Sequence, residues 1–165
     1  FADHVPETEE YGIKSFTFRT SLPFHPQRFL EFMQSKLDGV YRMKGYFWLS
    51  TRMDFVGQLS VAGKLAEMSP AGKWWAAVPK NQWALEDKEM LEYIQDNWEN
   101  PYGDRRQELV LIGTDIDKET LTNRLNACLL TDDEFNQGPD AWLTHLDPIH
   151  AWELVEETDT SLVEQ

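Results

Sequence analysis

The sequence has almost no cysteine. Its single thiol, Cys128, has no partner for an internal disulfide and cannot belong to a multi-cysteine zinc site. Cys128 continues an apolar pattern with Leu121, Leu125 and Leu129, which is typical of the buried side of a helix. We therefore predict a buried, inert thiol in a domain held together by its core, since 165 residues are enough to build one without disulfides.

Basic residues are also scarce. The chain has 15 lysines and arginines against 29 aspartates and glutamates, and its formal net charge is -14. A surface of this charge repels phosphate backbones and anionic lipids. We expect neither nucleic acid nor a membrane as the main partner, and cations or basic protein surfaces fit better.

Long hydrophobic runs and targeting signals are missing. No apolar run approaches the roughly 18 residues of a membrane span, and no stretch resembles a secretory signal. We therefore expect a cytoplasmic protein. The chain begins with Phe1 rather than methionine, which indicates a processed product or a piece of something longer.

No motif for nucleotide hydrolysis or nucleophilic catalysis is complete. A phosphate-binding loop needs four residues between its first glycine and Gly-Lys, followed by serine or threonine. The nearest string, residues 57–65, has five intervening residues and ends on Leu65. No serine lies in a nucleophile-elbow setting, and the many carboxylates single out no acid and base pair. We therefore expect no enzymatic activity from this chain alone.

The most informative stretch that is present is residues 43–52, in which four consecutive bulky apolar residues, 46–49, lie between a Lys-Gly entry and an arginine exit. A strand-length, aromatic-rich run of this kind is typical of a central strand buried on both faces. In that interpretation only the ends of the strand, at Lys44 and Arg52, can contact a partner.

The remaining pattern predicts an α+β domain. Its mainly antiparallel sheet has four to five strands, with two to three helices packed on one face. We predict strands over residues 12–20, 40–52, 55–63, 73–78 and 107–114, a loop over 64–72, helices over 26–37, 86–98 and 118–130, and an extended piece over 147–152. Asp117 and Thr131 are suitable N-cap residues. Residues 1–10 form an acidic linker, residues 11–152 the domain, and residues 153–165 an acidic tail.

Two further groups are candidates for binding a partner. One is Trp74 or its neighbour Trp75, because adjacent strand residues point to opposite faces and the outward tryptophan would be free for an interface. The other is the charge cluster at Asp104, Arg105 and Arg106, in which positioned arginines can hold a neighbouring domain. A structural ion-pair network at the mouth of a strand is the alternative for this cluster.

The histidines give little indication of a metal site. None of the four forms the close pair that would preform a zinc site. A site made of His145, His150 and a carboxylate such as Asp147 is sterically conceivable, and solvated loop histidines are the alternative. His25, which precedes Pro26, is typical of the start of a helix.

Six segments of the sequence together resemble a known family. In their order along the chain they are similar to the C-terminal domain of CobW-like GTPases; they are residues 11–19, 23–29, 44–52, 72–75, 103–113 and 127–132. The resemblance extends over about residues 10–152.

The resemblance implies that the domain follows an N-terminal P-loop GTPase domain with a Cys-X-Cys-Cys motif, in a protein that delivers zinc, cobalt or a related metal to client proteins. GTP, magnesium, and zinc or cobalt would then belong to the full-length protein. The appended domain would recognise clients or regulate the protein and could form homo-oligomer contacts. Its partners would be its own GTPase domain and a metalloprotein client, contacted through Lys44, Arg52, Arg105 and Arg106.

Two alternatives stay open. The first is a metal-storing or metal-sensing module that uses His145, His150 and the acidic termini. The second is a small-molecule enzyme, which would need a deep pocket lined by Trp48, Trp74 and paired carboxylates.

Overall fold

Five antiparallel strands organise the molecule, whose computed structural model describes residues 12–153. The strands are β1 (Ile13–Thr20), β2 (Val40–Leu49), β3 (Arg52–Ala62), β4 (Leu65–Lys73) and β5 (Gln107–Thr114). They lie in the order β1-β5-β2-β3-β4, so β2 is the middle strand. This confirms the predicted α+β architecture.

Within residues 12–153, five α-helices accompany the sheet. They are α1 (Pro26–Gln34), α2 (Lys88–Asp96), α3 (Lys118–Asn126), α4 (Asp132–Asn136) and α5 (Pro139–Trp142), with short 3-10 helices over Trp75–Ala77 and Lys80–Gln82. Local chemistry explains their starts: Pro26 opens α1 directly after His25, as predicted. The side chain of Asp117 accepts from Thr120 N at the start of α3, and Thr131 forms a capping box with Glu134 at α4.

The main core lies between one face of the sheet and the helices α1 and α3. It joins strand residues that alternate along the chain to the apolar sides of the two helices; its members include Phe16, Phe18, Phe29, Phe32, Met43, Phe47, Leu59, Leu109, Leu111, Leu121 and Leu125. Cys128 belongs to this core. Burial raises the pKa of the Cys128 thiol to about 11, so it stays protonated at neutral pH, as expected of an inert thiol.

A second cluster of buried residues lies at the carboxyl end of β2. Trp48, Trp74, Leu130 and Trp142 form it, and Tyr102 and Phe135 pack around them. These three tryptophans therefore fill space between elements. Three cavities formed by described residues do not include Trp48 in their lining.

The structure corrects three local predictions. Residues 64–72 are not a loop, because β4 runs through residues 65–73 and pairs with β3. Of the predicted strand 73–78, only Lys73 lies in a strand, as the last residue of β4, and Trp75–Ala77 form a 3-10 helix. The hairpin reverses at residues 50–51 rather than 53–54. Residues 147–152, predicted to be extended, belong to no helix or strand of the described range. The predicted linker, residues 1–10, and all of the predicted tail except Glu153 lie outside the described residues.

The middle strand is not buried on both faces, and this is the correction that matters for function. Met43 and the last residues, Phe47, Trp48 and Leu49, are buried, whereas Lys44 is exposed and Tyr46 keeps 40% of its surface exposed. No helix within residues 12–153 combines the length and the apolar character that a membrane span requires.

Candidate partner-binding surface

The sheet face opposite α1 and α3 is largely exposed, and we call it the open face. Lys44 of β2 is paired with Val110 of β5 and with Ser60 of β3, and directly paired residues place their side chains on the same face. Three rows therefore cross the sheet: Arg19, Glu108, Tyr46, Gln58 and Ser69; Thr17, Val110, Lys44, Ser60 and Glu67; and Ser15, Ile112, Arg42, Ala62 and Leu65.

Arg42 and Lys44 stand out on the open face. Both are exposed, and neither forms an ion pair with another residue of the range 12–153. Val110 and Ile112 lie beside them on β5, only partly buried. The centre of the open face thus combines two aliphatic side chains with two positive charges that no described carboxylate pairs.

A network of charged and polar contacts borders the open face at the carboxyl end of β2. Glu108 pairs with Arg19 and with Arg106, whose Nε lies 3.2 Å from a carboxylate oxygen. Arg106 also donates to the Tyr93 hydroxyl of α2 at 2.8 Å. Beneath this end of α2 is a small cleft of about 170 Å³, lined by Tyr46, Val56, Ala71, Lys73, Trp74, Trp75, Tyr93, Asp104 and Arg106.

Asp104 and Arg106 support this cleft from inside. Asp104 is 3% exposed and accepts from the backbone N–H groups of Trp75 and Ala76, each at 2.9 Å. Arg106 is 5% exposed and donates to the Asp104 carbonyl at 2.9 Å. Burial acts to lower the pKa of Arg106, but its hydrogen bonds with Tyr93 and Glu108 raise it overall. These contacts match the structural network that was the alternative for this cluster, and the predicted partner contact is not tested by them.

Arg105 points to another side of the molecule. Its guanidinium donates to the carbonyls of Met53 at 2.7 Å and Tyr102 at 3.2 Å. Burial lowers its pKa, against the charges of Asp104 and Asp54. Arg105 thereby ties the start of β3 to the loop before β5.

Arg52 holds the C-terminal segment of the described chain. It forms two hydrogen bonds to the Asp147 carboxylate, at 2.9 and 3.1 Å, and donates to the Ile149 carbonyl at 2.7 Å. Its guanidinium also stacks on Trp152 at 4.4 Å from the ring centroid. Arg52 is therefore occupied within the domain, while Lys44 is the exposed member of the predicted pair.

The structure distinguishes the two adjacent tryptophans. Trp74 is 3% exposed and belongs to the second cluster, whereas Trp75 is only partly buried and packs edge-on against Trp83. Of the two candidates, the outward tryptophan is therefore Trp75. The buried Trp74 side chain would have to move before a partner could contact most of it.

His145 and His150 make separate contacts. His145 Nδ1 lies 3.0 Å from the Ser50 hydroxyl, and His150 Nε2 lies 3.2 Å from the Met68 carbonyl. Asp147 is engaged by Thr51 and Arg52. Within residues 12–153, no group of three or more histidine, cysteine, aspartate or glutamate side chains is arranged to hold a metal ion. The metal role of the two histidines stays a prediction.

His25 makes the stability of the domain depend on pH. Burial lowers its pKa from 6.5, and the charges of Arg28 and His145 lower it further; its ring stacks on His145 at 4.9 Å. Well above pH 6.5, His25 is neutral in both the folded and the unfolded chain, because the folded pKa is lower than the unfolded pKa of 6.5. As the pH falls below 6.5, the unfolded chain binds the proton first, so folding becomes less favourable.

We therefore expect the wild type to lose unfolding free energy relative to His25→Phe as the pH falls from 7.5 to 5. Phenylalanine keeps an aromatic ring against His145 but cannot take up a proton. Urea unfolding at a series of pH values measures the difference, which cancels the contribution of the carboxylates shared by both chains. Parallel curves over this range would contradict the expectation.

The sequence interpretation missed Arg42, Tyr46, Val110 and Ile112 as surface residues. A signal for the first two was present, because Arg42, Lys44 and Tyr46 alternate with period two, as the exposed side of a half-buried strand does. The bulky run at residues 46–49 masked that alternation. Val110 and Ile112 carried no such signal, since aliphatic residues in a strand equally suit a core.

Comparison with known proteins shows where this domain belongs. A family model described as the cobalamin synthesis protein cobW C-terminal domain matches residues 13–129. The zinc-regulated GTPase metalloprotein activator 1 of Dictyostelium discoideum is 39% identical over 158 residues, which is 93% of this chain and 33% of that protein. A zinc chaperone of Mycobacterium tuberculosis is 37% identical over 143 residues, which is 87% of this chain and 35% of that protein.

The fold has a solved counterpart. The crystal structure of the Zn(II)-bound YjiA GTPase from E. coli superposes with a TM-score of 0.51 at 14% identity, covering 76% of this chain and 32% of that one. At this identity the likeness shows the fold alone. This chain spans about a third of the length of the curated relatives described above. With the family model matching most of the domain, the chain belongs to the cobW C-terminal domain family.

Proposed function

We propose that this chain is the non-catalytic recognition and regulatory domain of a GTP-dependent zinc chaperone. The observation that carries the proposal is its similarity to a zinc-regulated GTPase activator and a zinc chaperone, of which it matches only about a third. The remaining two thirds of such a protein have room for the GTPase. In this proposal GTP, magnesium and zinc bind outside this chain, and the domain contacts the GTPase domain and a metalloprotein client.

The side chains support a binding role over a chemical one. Ser50 and His145 are within hydrogen-bond distance, but Ser50 is fully buried. The nearby carboxylate of Asp147 bonds to Thr51 and Arg52. A nucleophile needs access to substrate and a base that is oriented by a third group, and this pair has neither in the described range. The open face, by contrast, offers exposed charge and aliphatic surface together.

Calorimetry with GTP and magnesium tests the proposal directly. We expect the chain alone to produce no binding heat, and we expect the GTPase segment of the full-length protein, made separately, to bind GTP and to form a complex with this chain. Size-exclusion chromatography detects that complex. Tight GTP binding by this chain alone, or no complex with the GTPase segment in the presence or absence of GTP, would refute the proposal.

Zinc binding separates the proposal from the metal-storing alternative. We expect equilibrium dialysis to show no stoichiometric zinc binding by the chain, because His145 and His150 contact different partners in the fold. Micromolar or tighter binding that is lost in both His145→Ala and His150→Ala would favour storage or sensing. Binding that survives both substitutions would place the metal elsewhere and would argue against that alternative.

A further inference from the structure

Arg42 has an unusual position among the arginines of this chain. There are seven arginines, and the other six each donate a hydrogen bond within the fold. Arg42 has no such contact with the described residues, and Lys44, two positions along the same strand, has none either. In a chain of net charge -14, two neighbouring free cations on one face are an exception that attracts anions locally.

The surroundings of these cations are aliphatic. Arg42 is directly paired with Ile112, and Lys44 with Val110, so the two cations and the two aliphatic side chains form a square on adjacent strands. Neither Val110 nor Ile112 packs into the two buried clusters. The nearby acids are compensated or distant: Glu108 pairs with two arginines, and Glu67 lies two strands from Lys44, about 10 Å away.

The spacing suits an extended polypeptide. Side chains two apart on a strand are separated by about 7 Å and point the same way, so alternate side chains of a second extended segment match Arg42 and Lys44. Carboxylates would pair with the guanidinium and the ammonium group, and aliphatic side chains would cover Val110 and Ile112. Tyr46, 40% exposed, extends the surface toward the cleft under α2.

The charge also indicates what kind of contact this is. Permanent interfaces are predominantly apolar, whereas charged patches steer and orient reversible encounters. Phosphate-rich partners fit poorly, because the acidic remainder of the chain repels a uniformly charged polyanion. A polypeptide that is acidic only over a short segment can satisfy the patch without approaching the rest.

We propose that the open face around Arg42, Lys44, Val110 and Ile112 docks a short acidic and aliphatic segment of a separate protein partner. This inference deepens the proposed recognition role and rests on it. The partner is a transiently bound polypeptide, and its acidic residues alternate with aliphatic ones.

A peptide that alternates glutamate with valine over six residues tests the surface. In a heteronuclear NMR titration of the full chain at low salt, we expect amide shifts concentrated at residues 42–46 and 108–112. Arg42→Glu with Lys44→Glu should weaken binding by at least about tenfold, and added salt should weaken it in the wild type. A lysine-valine peptide and a glutamate-serine peptide should bind more weakly, because the first lacks the charge match and the second the aliphatic contact.

The matched control is Lys88→Glu with Lys118→Glu, which changes the net charge equally at two exposed helix starts that are not part of the sheet. It should keep the affinity within about twofold if local pairing, not overall charge, is decisive. Circular dichroism and thermal unfolding establish that the Arg42 and Lys44 variant is folded. Absence of peptide binding, or equal loss in both double variants, would overturn the proposal.

Two further results distinguish related possibilities. If the full chain fails to bind the peptide and a chain that lacks residues 1–10 binds it, the face serves the chain's own acidic segment and a separate partner is ruled out. If the peptide result is positive and no complex with the GTPase segment forms, the surface chemistry stands while the proposed function fails. Positive results in both arms support the two proposals together.

Discussion

Gly45→Ala is expected to destabilise the domain by about 3 kcal/mol or more, because a side chain there has no room and an unfavourable backbone. An added Cβ would lie 2.0 Å from the Glu108 carbonyl oxygen, and Gly45 has a φ of +137°. The atom it would meet is backbone of the neighbouring strand, which cannot retreat without breaking the β2–β5 ladder. Urea denaturation followed by tryptophan fluorescence measures the loss.

Gly63→Ala is the matched control for Gly45→Ala. Gly63 also has a positive φ, of +61°, but an added Cβ there meets nothing within 4 Å. Its substitution should cost only the backbone term, about 1 kcal/mol. If the two variants lose similar free energy, the close approach of β2 to β5 at Gly45 is not what limits the sequence there.

The close approach of the strands at Gly45 also shapes the proposed docking surface. It lies between Lys44 and Tyr46, and its missing side chain lets the two central strands approach. That approach sets Lys44 beside Val110. Any residual folded Gly45→Ala protein should therefore bind the glutamate-valine peptide more weakly than the wild type does.

Gln107→Leu is expected to cost about 3 kcal/mol, because leucine cannot replace the hydrogen bonds of a fully buried amide. Gln107 is 0% exposed. Its Oε1 accepts from Trp48 N at 2.9 Å, and its Nε2 donates to the carbonyls of Leu22 at 2.9 Å and Trp48 at 2.8 Å. Trp48 O keeps its bond from Phe24 N, so Trp48 N and Leu22 O are the groups left unsatisfied.

Gln58→Leu provides the comparison for Gln107→Leu. Gln58 lies on the open face and is exposed, so the same substitution there should change the unfolding free energy by no more than about 0.5 kcal/mol. Chemical denaturation of both variants, with the slopes compared, isolates the effect of the buried amide. A loss of under 1 kcal/mol in Gln107→Leu would mean that water replaces the lost partners.

Much of the fold follows from signals that act over a few residues. Asp117 and Thr131 cap the helices they were expected to cap, since capping depends on groups three residues away. The strand at residues 107–114 has the predicted bounds. The strand at residues 65–73 was missed, because Pro70 and its polar neighbours resemble a loop until β3 supplies hydrogen bonds.

The candidate surface depended on contacts that no local signal carries. Arg52 and Lys44 looked alike as strand-end cations, yet Arg52 is held by Asp147, 95 positions away, and Lys44 has no carboxylate partner in the described range. Asp104 and Trp74 were likewise identified as candidates in the sequence, but their burial follows from packing against distant elements.

By itself, the sequence determined the class of the fold, the caps of its helices, the buried thiol and the family resemblance, because periodicity, capping and turn chemistry act between near neighbours in the chain. Only the tertiary structure decided the strand order and, with it, which side of β2 is exposed. Pairing with β5 and β3 joins residues far apart in sequence, and that pairing set Arg42 and Lys44 beside Ile112 and Val110 on the open face.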